Sequence, residues 1–236
     1  MNPSEILKAR PQHVALLGLG GSRAMYVDEI CASSASTHFD AVWTVNFGGR
    51  IYRHDILWLM DDMRGQATNL PEYGTMMRRH DKPIITSTVY DEFPMAVRYP
   101  IEEVLEFLKD DFLNSTVAYA VAYAMMTGVK VMSLYGCDFY YPNVTRREEG
   151  GQCCAYLLGL AKGHGMQFRL PQTSTMLSAY QAKVVDGVNG NKKVVRPLYG
   201  YVKQPHFTED GTHVEPAHTG DAQVREGSHD EPAKVG

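Results

Sequence analysis

Apolar residues along this chain fall into short runs separated by polar segments, and the runs are of two kinds. Val14–Gly18, Phe39–Phe47 ("FDAVWTVNF"), Ile56–Met60 ("ILWLM") and Lys82–Ser87 ("KPIITS") are compact stretches with many β-branched and aromatic residues, a pattern that predicts buried strands. Ile101–Phe112 instead carries Val104, Leu105, Leu108 and Phe112 at helical spacing. Thr116–Thr127 ("TVAYAVAYAMMT") is apolar nearly all round and reads as a buried helix, with Ser115 as its N-cap and Gly128 as its stop. Arg23–Cys31 and Glu148–Lys162 read as further helices, the second ended by Gly163. Val129–Leu134 reads as a central strand and Met166–Leu170 as a last short one.

Strands apolar on both faces and separated by helices need cover on two sides. The expected fold is therefore α/β: a Rossmann-like, doubly wound, mostly parallel sheet over residues 1–178. Beyond it the pattern changes. Residues 179–204 hold two Val-rich runs around "GVNGNKK", which predicts a β-hairpin appendage. Residues 205–236 are dominated by Glu, Asp, His, Pro and Gly, which predicts a disordered tail.

Composition narrows the function classes only slightly. A chain of 236 residues with 44% hydrophobic and 21% charged residues can bury one core of ordinary make-up. The formal charge of −4 provides no global pull toward nucleic acid or an anionic membrane. No run approaches the roughly 20 apolar residues of a membrane span. The stretch "MNPSEILKARPQH" lacks the apolar centre of a signal peptide, so a cytoplasmic protein is expected. Cys31, Cys137, Cys153 and Cys154 show neither CxxC nor a Cys/His ligand spacing, so no structural metal is expected and the thiols should be reduced.

In an open parallel sheet, ligands bind beyond the carboxyl ends of the strands, so the residues just after each strand are the ones to inspect. The loop Gly18-Leu19-Gly20-Gly21-Ser22 offers backbone N–H groups at a helix start, suited to a phosphate; a tight strand-to-helix turn needs the same glycines. Ala24 or Met25 stands where a dinucleotide fingerprint has its third glycine, which argues against a nicotinamide cofactor. Asn46 ends the second strand and can pair with a base or ribose, or simply tolerate the turn before Gly48-Gly49. Asp61 and Asp62 follow the third strand; they could act as base or hold Mg2+, or Asp62 could cap a short helix. Ser115 and Thr116 open the buried helix, where capping and anion contact use the same groups. Asp138, after "LYGC", could orient a sugar or fix a loop through backbone N–H groups.

The order of these features, "GLGGS", "VWTVNF", "ILWLMDD", "PIITS" and "NSTVAYAVAYAMMTGVKVMSLYGCDF", resembles the Rossmann-like family of motility-associated and sialyltransferase-like glycosyltransferases. That family includes 6-hydroxymethylpterin pyrophosphokinase-like proteins. The stretches "STVAYA", "LYGCDF" and "CCAYLLGLAKGHGMQFRLPQTSTML" are also similar to small bacteriophage proteins labelled morphogenetic. The resemblance spans about residues 13–178 and departs from the pattern at Gly20-Gly21-Ser22, where relatives often carry Gly-Pro-Ser.

The resemblance implies a nucleotide-sugar-dependent glycosyltransferase, phage-encoded and therefore in host cytoplasm, acting on a glycan or a hydroxymethylated DNA base. Gly18, Gly20, Gly21 and Ser22 would hold the donor phosphate with Ser115 and Thr116, and Asn46 would meet the nucleoside. Asp61 or Asp138 would position the acceptor or take its proton. Two alternatives stand beside this: an ATP-dependent pyrophosphokinase, which would need Mg2+, and a non-catalytic nucleotide-binding or virion-associated protein. A homo-oligomer is compatible with each.

Overall fold

The strand His13–Leu17 (β1) shows how the sheet is built. Val14 and Leu16 enter one hydrophobic core, while Ala15 and Leu17 enter another on the opposite face. Period-two alternation with both sets apolar is what a strand covered on two sides requires. The computed structural model describes residues 10–32, 39–139, 146–177, 183–186, 192–195, 206–207 and 213–214, and the chain divides into two units, 1–181 and 182–236.

In the first unit, β1 is joined by Ala41–Val45 (β2), Ile56–Trp58 (β3), Ile84–Thr86 (β4), Ala96–Arg98 (β5), Val131–Tyr135 (β6) and Gln167–Arg169 (β7). They form one seven-stranded sheet in the order β5-β4-β3-β2-β1-β6-β7, and every pairing is parallel. The fold is thus a Rossmann-like α/β architecture. The strand placed at the centre by the sequence pattern, β6, lies one in from the edge strand β7. The chain reverses direction across the sheet between β1 and β6.

Thr116–Thr127 (α5) and Arg146–Gly163 (α6) cover one face with the largest core. Within it Trp43 and Trp58 meet at 5.2 Å between ring centres, and both touch Tyr123 of α5. Ala24–Ala32 (α1) covers the other face through Tyr26. Met63–Asn69 (α2) and Pro71–Arg78 (α3) bury Met63, Tyr73 and Met77 beside β3 and β4. Ile101–Leu108 (α4) ends four residues before its apolar stripe does. Lys109 adopts the left-handed conformation (φ 55°), and the Asp110 carboxylate then accepts from the Phe112 N–H at 3.0 Å.

In the second unit, Lys183–Asp186 (β8) and Lys192–Val195 (β9) pair antiparallel, and His206–Phe207 (β10) pairs antiparallel with His213–Val214 (β11). The remaining residues of the predicted hairpin and tail lie outside the described residues.

Candidate functional site

The reversal between β1 and β6 makes the loops after these strands diverge, and a cleft of about 130 Å³ opens over the carboxyl ends of β2, β1 and β6. Gly18 and Leu19 line it from β1, Asn46 from β2, and Gly136 to Phe139 from β6. Ser115, Thr116 and Val117 close it with the start of α5. A helix N-terminus facing a cleft carries positive potential and unpaired N–H groups, the ingredients of an anion site.

The glycine loop is held chiefly by the loop after β6. Gly18 N–H donates to the Tyr135 carbonyl and Gly20 N–H to the Gly136 carbonyl, both at 2.7 Å. A Cβ on Gly18 would lie 2.8 Å from the Gly136 carbonyl carbon, so the two backbones touch where only glycine fits. On Gly20 it would lie 2.8 Å from both the Gly136 oxygen and the Asp138 Cγ. Gly21, by contrast, has open space at its Cβ position.

Ser22 and Asp138 meet across this junction. The Asp138 carboxylate accepts from the Ser22 N–H at 2.8 Å and from the Ser22 hydroxyl at 2.6 Å. The same hydroxyl accepts from the Gly136 N–H at 2.8 Å. Ser22 is buried and Asp138 is 9% exposed, so their polar atoms face each other. The Asp138 carbonyl accepts from Thr175 Oγ1 at 2.5 Å, which ties the segment after β7 to the same point.

Asn46 opens a 3₁₀ turn at φ 50°, a left-handed conformation that asparagine tolerates. Its side-chain oxygen stands 3.4 Å from the Thr116 hydroxyl, so the end of β2 and the start of α5 converge in the cleft. Ser115 caps α5 by accepting from the Ala118 N–H at 3.2 Å, and its hydroxyl also touches Cys154 Sγ at 3.2 Å. Burial pushes the Cys154 thiol up to about 12 and raises the Cys137 thiol as well, so neither is a nucleophile at neutral pH.

The acidic pair after β3 divides. Asp62 caps α2 by accepting from the Gly65 N–H at 2.7 Å, and it accepts from the Tyr90 hydroxyl at 2.6 Å. The Tyr90 hydrogen bond first, and the Gly65 N–H second, hold its carboxyl below the usual range. Asp61 is exposed on the same edge of the sheet but is not among the residues lining the cleft. Among the described residues, no three His, Cys, Asp or Glu side chains gather where they could hold a metal ion.

Phe139 joins the cleft to a second, more apolar hollow of about 340 Å³, lined also by Gly151, Gln152, Ala155 and Met176. It sits at φ 50°, and α6 accommodates it with glycines. A Cβ on Gly150 would be 3.0 Å from its ring, and one on Gly151 3.1 Å from its Cβ. The aromatic residue was visible in "CDFYY"; its fit onto "GG" of α6 was not, because nothing local links them.

No protein-family model matches the chain, and no curated protein does. Solved structures share its fold. A variant of the sialyltransferase CST-II in complex with CMP is 13% identical over 84% of this chain and 96% of that one, with a TM-score of 0.50. Sialyltransferase CstII from Campylobacter jejuni in complex with CMP is 14% identical over 85% and 96%, with a TM-score of 0.46. The same enzyme with a trisaccharide acceptor and CMP gives 14% over 84% and 96%, with a TM-score of 0.47. At these identities the likeness is one of fold.

Proposed function

We propose that this protein is a nucleotide-sugar-dependent glycosyltransferase that takes a CMP-linked donor and a glycan acceptor. The observation carrying this reading is the convergence of Asn46, Thr116 and the first turn of α5 on a cleft at the sheet's reversal point. The CMP-bound structure that shares the fold makes the cytidine nucleotide the first donor to test; this step is analogy. In the proposed arrangement the donor phosphate lies against the start of α5 and the Gly18-Leu19 backbone, which line the cleft while Gly20, Gly21 and Ser22 stand behind it, and Asn46 meets the nucleoside.

Transfer to a hydroxyl requires removing its proton as the new bond forms. Asp138 serves as a positioning residue, since both its oxygens accept from Ser22. Asp61 stands exposed on the carboxyl edge of the sheet outside the cleft's lining, so in this reading it takes the proton of an acceptor that reaches the donor over that edge. Pyrophosphoryl transfer from ATP and Mg2+ fits less well, because Asp62 is committed to capping α2.

The test is thermal unfolding in the presence of CMP-, UDP-, GDP- and ADP-sugars, and of ATP with Mg2+. A rise with CMP and CMP-sugars is expected. A rise with Mg2+-ATP alone would favour the kinase reading, and no rise with any nucleotide would overturn both.

A further inference from the structure

The connection from β2 to β3, residues 46–55, returns from the carboxyl end of one strand to the amino end of the next with only the 3₁₀ turn Asn46–Arg50 on the way. Parallel neighbours are usually joined through a helix that packs on the sheet. Here a polar hollow of about 570 Å³ lies beside the segment, lined by Tyr52, His54 and Asp55 and, from the approach to β4, by His80 and Lys82. Side-chain hydrogen bonds take the place of helix packing.

Three of these bonds run in series. His80 Nε2 and His54 Nε2 lie 3.0 Å apart and share an N–H···N bond. His54 Nδ1 lies 2.7 Å from the Tyr52 carbonyl oxygen, which can only accept, so Nδ1 carries a proton. The Tyr52 hydroxyl then donates to the Gly18 carbonyl at 3.3 Å. Gly18 lines the cleft, and its N–H donates to the Tyr135 carbonyl on the β6 side. Tyr52 thus ties the first loop from the β2–β3 side, opposite the backbone bond from β6.

Proton count decides whether the first bond of the series holds. The neutral pair has one lone pair facing one N–H, and a single added proton still leaves one acceptor between the rings. A second proton leaves two donors of like charge facing each other with no acceptor, so the bond breaks. His80 takes that last proton: burial first, and His54 second, lower it to about 4. Around the pair, Arg53 and Lys82 stand with Asp55 and Asp81; Asp81 favours a charged His80 and Lys82 opposes it. Asp55 is engaged by the Val42 N–H, at 2.8 Å.

We propose that His80, His54 and Tyr52 form a relay that positions the Gly18 carbonyl at the cleft, and that double protonation of the histidine pair releases it. Tyr52 is a positioning residue in this arrangement, and the two histidines act through it. Calling the cleft a nucleotide site rests on the proposed transferase function; the relay itself does not.

The test follows the carbon-13 resonance of the Gly18 carbonyl in the full chain, with CMP titration as a second readout. At pH 7, Tyr52→Phe should move the resonance and weaken CMP binding about fivefold, one neutral hydrogen bond. His54→Ala and His80→Ala should move it in the same direction, but not in a chain that already carries Tyr52→Phe. As the pH falls to about 4, the wild-type resonance should follow the ring resonances of the pair. His80→Gln, whose amide can donate but takes up no proton in this range, should hold it still. The relay is overturned if neither histidine variant moves the carbonyl at pH 7, or if both move it equally with Tyr52→Phe present. Its positioning role is overturned if the Tyr52→Phe chain binds CMP like wild type. A carbonyl that responds throughout in a chain that does not bind CMP would uphold the relay and remove the nucleotide from the cleft. Should the alanine variants fail to fold, the comparison of wild type with His80→Gln across the pH range decides alone.

Discussion

The Asp138 carboxylate accepts from both the backbone N–H and the hydroxyl of Ser22, at 2.8 and 2.6 Å, and so ties the end of β6 to the turn after β1. These are the strands between which the sheet reverses, so the contact sets the distance across the floor of the cleft. Hydrogen bonds to a buried charge contribute about 1.5–3 kcal/mol net, more than neutral ones. Asp138→Asn turns an amide toward one of the two Ser22 donors. The expected loss is about 2 kcal/mol of unfolding free energy, with weaker nucleotide binding, read by denaturant unfolding and nucleotide titration. Wild-type stability would show that backbone contacts alone hold the loops.

The glycines of the first loop are expected to separate by role. Gly20→Ala places a methyl 2.8 Å from Asp138 Cγ and the Gly136 oxygen, so it should cost several kcal/mol, on the order of 2–4, through displacement of both loops. Gly21→Ala meets open space and should stay within about 0.5 kcal/mol of wild type. Thermal unfolding of the pair checks this. Equal losses would mean that the loop is limited by backbone freedom instead of by contact.

The same comparison at α5 separates cap from contact. Ser115→Ala removes the acceptor for the Ala118 N–H and should cost about 1 kcal/mol of stability. Thr116→Val keeps the shape and loses only a hydroxyl facing Asn46 across the cleft. Stability should be nearly unchanged while nucleotide affinity falls about tenfold, one lost hydrogen bond. Isothermal titration on both variants decides; a Thr116→Val protein that binds normally would remove that hydroxyl from the site.

Much of this arrangement could be read from local pattern. Ser115 and Gly128 bracket α5 at both ends because capping is chemistry between near neighbours. The short runs predict β1 to β4, β6 and, at Met166–Leu170, β7; for the inner strands burial on both faces leaves no polar alternation to misread. The three-residue β5 was missed: Ala96–Arg98 is a short edge strand, half exposed and without a run. Long-range pairs were beyond reach. Ser22 and Asp138 are 116 residues apart, and His54 and His80, whose rings share a hydrogen bond, are 26 apart. Asp138 is legible as a residue after a strand, able to fix a loop through backbone N–H groups. That its partner is the first loop is not, because the strand order alone brings the two together.

Acid should destabilise the protein through His80. Its native value is lowered to about 4 against 6.5 for the free side chain, burial first and His54 second. Between these values the unfolded chain binds more protons than the native one, so stability rises with pH there. It is lost as pH falls from about 6.5 to about 4, on the order of 1–2 kcal/mol once the partial exposure of the pair is allowed for. Denaturant unfolding across this window should show the slope, and His80→Gln should flatten it. A slope unchanged in the variant would assign the acid sensitivity to other groups.

Two glycines of α6 offer opposite expectations from one substitution. Glycine inside a helix costs about 1 kcal/mol relative to alanine, because the unfolded chain has more freedom to lose. At Gly159 an added Cβ meets nothing, so Gly159→Ala should stabilise by about 0.5–1 kcal/mol. At Gly150 it would stand 3.0 Å from the Phe139 ring and 3.3 Å from Ser115 Cβ. Phe139 has little room to yield, since its own backbone is held at φ 50° and Asp138 before it is fixed by Ser22. Gly150→Ala should therefore give no gain or a net loss, and it should push Phe139 toward the cleft. The paired unfolding measurements check the stability difference, and nucleotide titration of the Gly150 variant checks the displacement. If both variants stabilise equally, the packing of Phe139 on α6 imposes no constraint on the cleft.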